Sequence, residues 1–152
     1  MIEKKTTTTA LFIGRFQPLH KGHVHAIRQL LNRYNRVLVA IGSINKRDGK
    51  NLYSFSLRRK MIRVVFPTGR VHIVGLRDYL SDRRWVQQVT KHRFDVVVTG
   101  NSHVKRCLER YGVERPVFLK RTVYNSTAIR RAMRRGRAWK ERVPKEVRAL
   151  IE

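Results

Sequence analysis

Short apolar runs recur along this chain, separated by segments with helical spacing. Thr6 to Ile13 is rich in β-formers and ends in the run Ala10 to Ile13; Arg36 to Ile41 reads RVLVAI; Val71 to Val74 is a third run. Phe94 to Thr99 (FDVVVT) is a fourth, and Pro116 to Leu119 a shorter fifth. Runs that are apolar throughout predict strands buried on both faces, as in a parallel sheet. Between them, Val24, Ile27, Leu30, Leu31 and Tyr34 predict an amphipathic helix over 23–34, and Leu57, Met61, Ile62 and Val65 a second, closed by Pro67-Thr68-Gly69. Ser81 is placed to cap a helix running to His92, with Trp85, Val86 and Val89 on its apolar side. Ser102 is placed to cap another that carries Val104, Leu108 and Tyr111. Ser126 and Thr127 open a basic helix that turns Ile129 and Met133 inward and ends at Gly136, and Val143-Pro144 starts a short terminal one. This alternation predicts an α/β fold, a doubly wound parallel five-stranded sheet in the order 3-2-1-4-5. Strands 1 and 4 then meet at the switch point, and the turns that follow them share one crevice.

The turn after strand 1 is Gly14-Arg15-Phe16-Gln17-Pro18-Leu19-His20-Lys21-Gly22-His23. Gly14 lets the chain leave the strand tightly, Pro18 stiffens the turn, and Gly22 admits a ligand close to the backbone where a helix begins. His20 and His23, three apart, point the same way beside unpaired N–H groups and the positive end of the helix dipole. That combination suits an anion. Two histidines at this spacing could also begin a zinc site, but no cysteine or carboxylate stands near them in sequence. The turn after strand 4, Gly100-Asn101-Ser102, mirrors the first, and an Asx turn would also account for Asn101.

Composition widens the picture in one respect. The 152 residues suit a single domain spanning 1–152 with one core, and 41% hydrophobic residues support a globular chain. No apolar run approaches a membrane span and no signal-peptide core is visible, so a cytoplasmic location is expected. The single cysteine, Cys107, excludes an internal disulfide and a cysteine-rich metal site. Thirty-five Lys+Arg against 10 Asp+Glu, net +25, calls for anionic company. Either the surface binds polyanions or nucleic acid, or it surrounds a polyphosphate pocket; the basic residues are spread over every segment, and no RNP, KH or zinc-finger pattern is present, which favours the pocket.

The string GRFQPLHKGH, with its H-x-G-H core, resembles the nucleotidylyltransferase superfamily, and within it the archaeal-type nicotinamide-mononucleotide adenylyltransferases. The resemblance implies a Rossmann-like fold of the adenine nucleotide alpha hydrolase/nucleotidylyltransferase type, binding of ATP and nicotinamide mononucleotide, Mg²⁺ held mainly by the ATP phosphates, and a homo-oligomer, often a hexamer. By the same resemblance, ATP would be bound by Gly14, Arg15, Phe16, His20, Gly22, His23, Arg58, Gly100, Asn101, Ser126, Thr127 and Arg130. Ser126-Thr127-x-x-Arg130 resembles the S-T-x-x-R element that closes the triphosphate site, and Arg58 matches the arginine of a family ER pair whose acid is Leu57 here. Gly42 to Asn51 lacks period and reads as a mobile loop over the site. Asp78 and Trp85, seven apart, keep the family's spacing for the nicotinamide pocket, and Asp82 stands where the family commonly has Asn. An ionised Asp only accepts hydrogen bonds, so Asp82 would take a carboxamide NH₂ and repel the carboxylate of nicotinate mononucleotide.

The expected chemistry is transfer of AMP from ATP to the nucleotide's 5′-phosphate, giving NAD and pyrophosphate. His20, His23, Arg15 and Arg130 would carry it by neutralising charge, with no general base. Two alternatives stay open on the sequence: another phosphate-bearing acceptor such as phosphopantetheine or flavin mononucleotide, and a basic RNA-binding module.

Overall fold

In a computed structural model that describes residues 8–152, the strands lie side by side in one parallel sheet. Across it run β3 (Val71–Gly75), β2 (Arg36–Ile41), β1 (Thr9–Gly14), β4 (Val96–Val98) and β5 (Val113–Glu114), the order expected from the pattern. Phe12 pairs with Val39 on one side and Val98 on the other, so β1 is central. Thr6 and Thr7, expected to open β1, lie outside the described residues.

Side chains alternate across the sheet. Ala10, Phe12, Val37, Val39 and Ile41 face a cluster completed by Ile27 of α1 (Lys21–Arg33), Met61 of α2 (Phe55–Val65), Ile129 of α5 (Ser126–Arg134) and Val147 of α6 (Lys145–Ile151). Leu11, Leu38, Ala40 and Val97 face the other layer, with Val89 of α3 (Asp82–Val89) and Leu108 of α4 (Ser102–Leu108). The fold is thus three-layered, with the turn histidines at the carboxyl ends of β1 and β4. Among the described residues no helix is long and apolar enough to cross a membrane.

The fifth strand departs from the expectation: it is Val113–Glu114, not Pro116 to Leu119. Pro116 has no N–H to give a ladder. Gly112, at φ 78°, turns the chain after a short 3₁₀ segment so that Val113 and Glu114 pair with Val97 and Val98. The Glu114 carboxylate faces α1, where it accepts from the Tyr34 hydroxyl (3.1 Å) and pairs with Arg33 (3.3 Å). β4 is also shorter than FDVVVT: the Asp95 N–H still donates to the Thr9 carbonyl at 2.8 Å, but the return bond goes to its side chain, whose carboxylate accepts from the Thr9 N–H at 2.7 Å. α3 stops at Val89 instead of reaching His92, where the Thr90 hydroxyl donates back to the Val86 carbonyl. α4 is capped by Asn101, not Ser102, and Tyr111 falls in the 3₁₀ segment beyond its end.

Candidate active site

The first turn of α1 fixes two imidazoles in one protonation state. His20 is the N-cap, and its Nδ1 accepts from the N–H groups of Gly22 (3.0 Å) and His23 (3.4 Å). In return the His20 N–H donates to Nδ1 of His23 at 3.2 Å, closing a capping box built from two histidines. Each Nδ1 is used as an acceptor, so the proton of each neutral ring sits on Nε2. The rings stack with centroids 3.6 Å apart. Burial pushes His20 down to about 3, and burial together with His20 holds His23 well below the ordinary histidine range. Near neutral pH the stacked pair therefore carries two Nε2–H donors and no charge of its own. Gly22 is required here: a Cβ would stand 2.8 Å from Cε1 and 2.9 Å from Nδ1 of His20. Phe16, buried and left-handed at φ 52°, sets its ring edge-on to His23.

α5 supplies the facing wall. Asn125 caps it through a 2.7 Å bond from the Ala128 N–H, and the Ser126 hydroxyl donates to the Pro18 carbonyl at 3.2 Å. Arg130, 4% exposed, donates to the Gln17 carbonyl at 2.9 Å and reaches the Thr127 hydroxyl at 3.5 Å. Burial, then Arg15 and Arg134, press its pKa downward, the mark of a cation placed where an anion would relieve it. His20, Gly22, His23, Arg15, Phe16, Asn101, Ser126, Thr127 and Arg130 all line one cavity of about 310 Å³. No carboxylate is among its lining residues.

A second cavity, of about 400 Å³, is walled by Gly14, Gly42, Lys46, Asp78, Asp82, Trp85 and His103. Arg15 and Asn101 line both, so the two chambers adjoin at the switch point. Most residues expected for ATP therefore line the first chamber and Asp78, Asp82 and Trp85 the second, with Arg15 and Asn101 shared; Gly14, expected for ATP, lines only the second.

Two expected residues lie elsewhere. Arg58 is completely buried under the crevice. Its guanidinium donates to the carbonyls of Arg15 (2.8 Å) and Gly42 (2.7 Å), with Ser43 at 3.5 Å, tying the ends of β1 and β2 together. Burial first, then Arg15, lower it to about 10. Gly100 lies under an aromatic ring, because its absent Cβ would be 2.5 Å from Cζ of Phe118.

Several lining residues went unread in the sequence. Phe118, with the Arg121 guanidinium 4.2 Å above its ring, and Tyr124 close the first chamber. Gln17 clamps the following loop, donating to the Tyr53 carbonyl (3.1 Å) and accepting from its N–H (2.8 Å). Asn45 holds Asp78 the same way: it accepts from the Asp78 N–H at 2.8 Å and donates to its carbonyl at 3.3 Å. Residues 42–51 are thus a pinned turn and not the mobile loop expected, because Asp48 also accepts from the N–H groups of Lys50 and Asn51. Gln17 lies inside the histidine motif and Tyr124 two residues ahead of the Ser126-Thr127-x-x-Arg130 element, so both stood beside a sequence signal.

A parallel sheet with a crevice at the carboxyl ends of β1 and β4, where neutral imidazole donors and a buried arginine line one cavity, defines an α/β protein that handles nucleotide phosphates. Residues 11–132 match the cytidylyltransferase-like family model. The nicotinamide-nucleotide adenylyltransferase of Thermococcus onnurineus is 36% identical over 152 residues, covering 93% of this chain and 81% of that protein. The enzyme of the same name from Pyrococcus horikoshii is 37% identical with the same coverage. A bifunctional NMN adenylyltransferase/ADP ribose pyrophosphatase from Francisella tularensis, solved with AMP and a manganese ion, superposes with a TM-score of 0.77 at 27% identity. It is matched over 91% of this chain and 44% of its own length, so this chain spans less than half of that bifunctional protein. The chain belongs to the cytidylyltransferase-like family and, within it, to the nicotinamide-nucleotide adenylyltransferases.

Proposed function

We propose that this crevice transfers AMP from MgATP to the 5′-phosphate of nicotinamide mononucleotide, releasing pyrophosphate and forming NAD. The observation that carries the reading is the capping-box histidine pair, whose two Nε2–H groups share one cavity with Arg130. An oxygen of the acceptor's 5′-phosphate attacks the α-phosphorus as the bond to the β-phosphate bridge oxygen breaks, and the electron pair leaves on pyrophosphate. The attacking oxygen is already anionic, so no general base is needed. The protein's task is alignment and stabilisation of charge that moves toward the leaving group.

His20 and His23 donate from Nε2 to the α- and β-phosphates. Neutral donors suit this step because they stabilise charge as it develops without clamping the product pyrophosphate as two imidazolium ions would. Arg130 and the Thr127 hydroxyl hold the β- and γ-phosphates at the α5 terminus. Arg15, at the junction of the chambers, lies between acceptor phosphate and α-phosphate and lowers their mutual repulsion. Asn101 lines the adenosine side. The pyridine ring lies against Trp85, with its carboxamide toward Asp78 and Asp82. Mg²⁺, a hard cation that wants oxygen ligands, finds no carboxylate lining the phosphate chamber and enters as part of the substrate on ATP oxygens and water.

The test is pyrophosphate release from MgATP with nicotinamide mononucleotide, nicotinate mononucleotide, flavin mononucleotide and phosphopantetheine offered separately. NAD formation, with the nicotinamide nucleotide preferred over its acid, is expected; release only with flavin mononucleotide or phosphopantetheine would refute the acceptor assignment.

A further inference from the structure

Outside the phosphate chamber, three side chains of different donor chemistry converge where α3 meets α4. Asp82 opens α3; His103 and Cys107, four apart, share one face of α4. His103 Nε2 lies 3.0 Å from Asp82 Oδ1 and 3.7 Å from Cys107 Sγ, and all three ligand atoms fall within 4.8 Å of one another. Tetrahedral zinc bonded to sulfur, nitrogen and oxygen at ordinary lengths spaces its ligand atoms about 3.4–3.6 Å apart. The observed triangle therefore needs only small side-chain rotations to close on a cation. A cavity of about 470 Å³ opens beside the three residues and leaves room for a water as fourth ligand.

We propose that Asp82, His103 and Cys107 form a binding site for one divalent transition cation of the zinc class. The donor set decides the class: thiolate and imidazole select zinc, cobalt or copper, whereas magnesium and calcium take oxygen ligands. A surface ion pair would explain the 3.0 Å contact and the i,i+4 spacing the approach of the thiol; what points to a cation is that sulfur, nitrogen and oxygen donors from two helices meet at one ring nitrogen. Without metal, the Nε2 proton is shared toward Asp82 while Arg106 Nη2 stands 3.5 Å from Nδ1. Ligation through Nε2 moves the proton to Nδ1 and turns the exposed Arg106 away, so this arginine opposes the metal and sets its affinity. A bound cation would pin α3, the helix carrying Trp85, to α4, the helix capped by Asn101.

The site is testable because Cys107 is the chain's only cysteine. Tag-free protein is titrated with Co²⁺ alone, and the sulfur-to-cobalt charge-transfer band is followed in the near ultraviolet. One equivalent should produce the band, Zn²⁺ should abolish it by displacement, and Cys107→Ser should eliminate it. His103→Ala should weaken cobalt binding at least about tenfold, and Arg106→Gln should tighten it by about tenfold, the scale of groups beside a metal ligand. Zn²⁺ should raise the melting temperature of the native chain and not that of Cys107→Ser. Absence of a thiolate band at saturating Co²⁺, or a band undiminished in His103→Ala, would overturn the proposal. Asp82 and His103 also line the acceptor chamber, so Asp82 would give one oxygen to the cation and the other to the acceptor; the cobalt spectrum is read without nucleotide, so its failure leaves the transferase reading standing.

Discussion

Replacing His20 by Asn separates the two tasks of that imidazole. Its Nδ1 caps α1, and its Nε2–H faces the phosphate chamber. Asn is among the best N-cap residues, so its side-chain oxygen can still accept from the Gly22 and His23 N–H groups, but it cannot place a donor where Nε2 stood. His20→Ala loses both: about 1 kcal/mol of cap and about 1–2 kcal/mol of burial for a ring only 5% exposed. In catalysis the two variants should look alike. Removing one preorganised donor to a developing oxyanion costs about 2.7–4 kcal/mol, or 10²–10³ in kcat. The assays are thermal unfolding and steady-state NAD formation, run side by side. His20→Asn should melt within about 1 kcal/mol of the native protein and lose most of its kcat with KM for ATP little changed. A well-folded His20→Asn protein with near-native kcat would refute the assignment of Nε2 as a transition-state donor.

Gly22→Ala should be stable or slightly stabilised if it were an ordinary helix position, yet its Cβ meets the His20 ring at 2.8 Å; we expect kcat to fall about 10- to 100-fold as the ring is displaced, measured by NAD formation. Arg58→Met should lower stability by about 3 kcal/mol, because carbonyls of Arg15 and Gly42 lose a charged donor inside the protein; denaturant unfolding reads this directly. Asp82→Asn should raise the relative use of nicotinate mononucleotide about fivefold by removing a screened like charge, read as the ratio of kcat/KM for the two acceptors. Stability should also fall with acid. His20 is held at about 3 in the folded chain and returns to about 6.5 when unfolded, so only the unfolded state gains its proton as pH drops below 6.5. No stability is lost above that pH, and about 2 kcal/mol goes by pH 5 for this one group. Urea midpoints against pH would show the decline.

The strand order and the crevice were legible because they rest on strong, local signals. Continuous apolar runs such as RVLVAI admit one reading, and the glycines, proline and histidines of the first turn leave little room for another. The fifth strand was misread because its two residues include a glutamate, and its pairing depends on Gly112 turning the chain toward β4. Arg58 matched an expected motif, but its role is set by three carbonyls from loops distant in sequence, which no local pattern reports. The same holds for Asn45, whose grip on Asp78 spans 33 residues. The histidine capping box lay between these cases: spacing revealed the pair, while the tautomer needed the 3.0 and 3.2 Å contacts that only the folded turn creates.

The neutral histidine pair is the centre of the account, and nitrogen-15 NMR of the imidazole rings in ligand-free protein tests it most directly. At pH 7 both His20 and His23 should show the Nε2–H tautomer, and neither should become protonated as the pH is lowered to 5. An imidazolium on either ring at pH 6, or a proton on Nδ1, would contradict it and return the phosphate-binding role to charge alone.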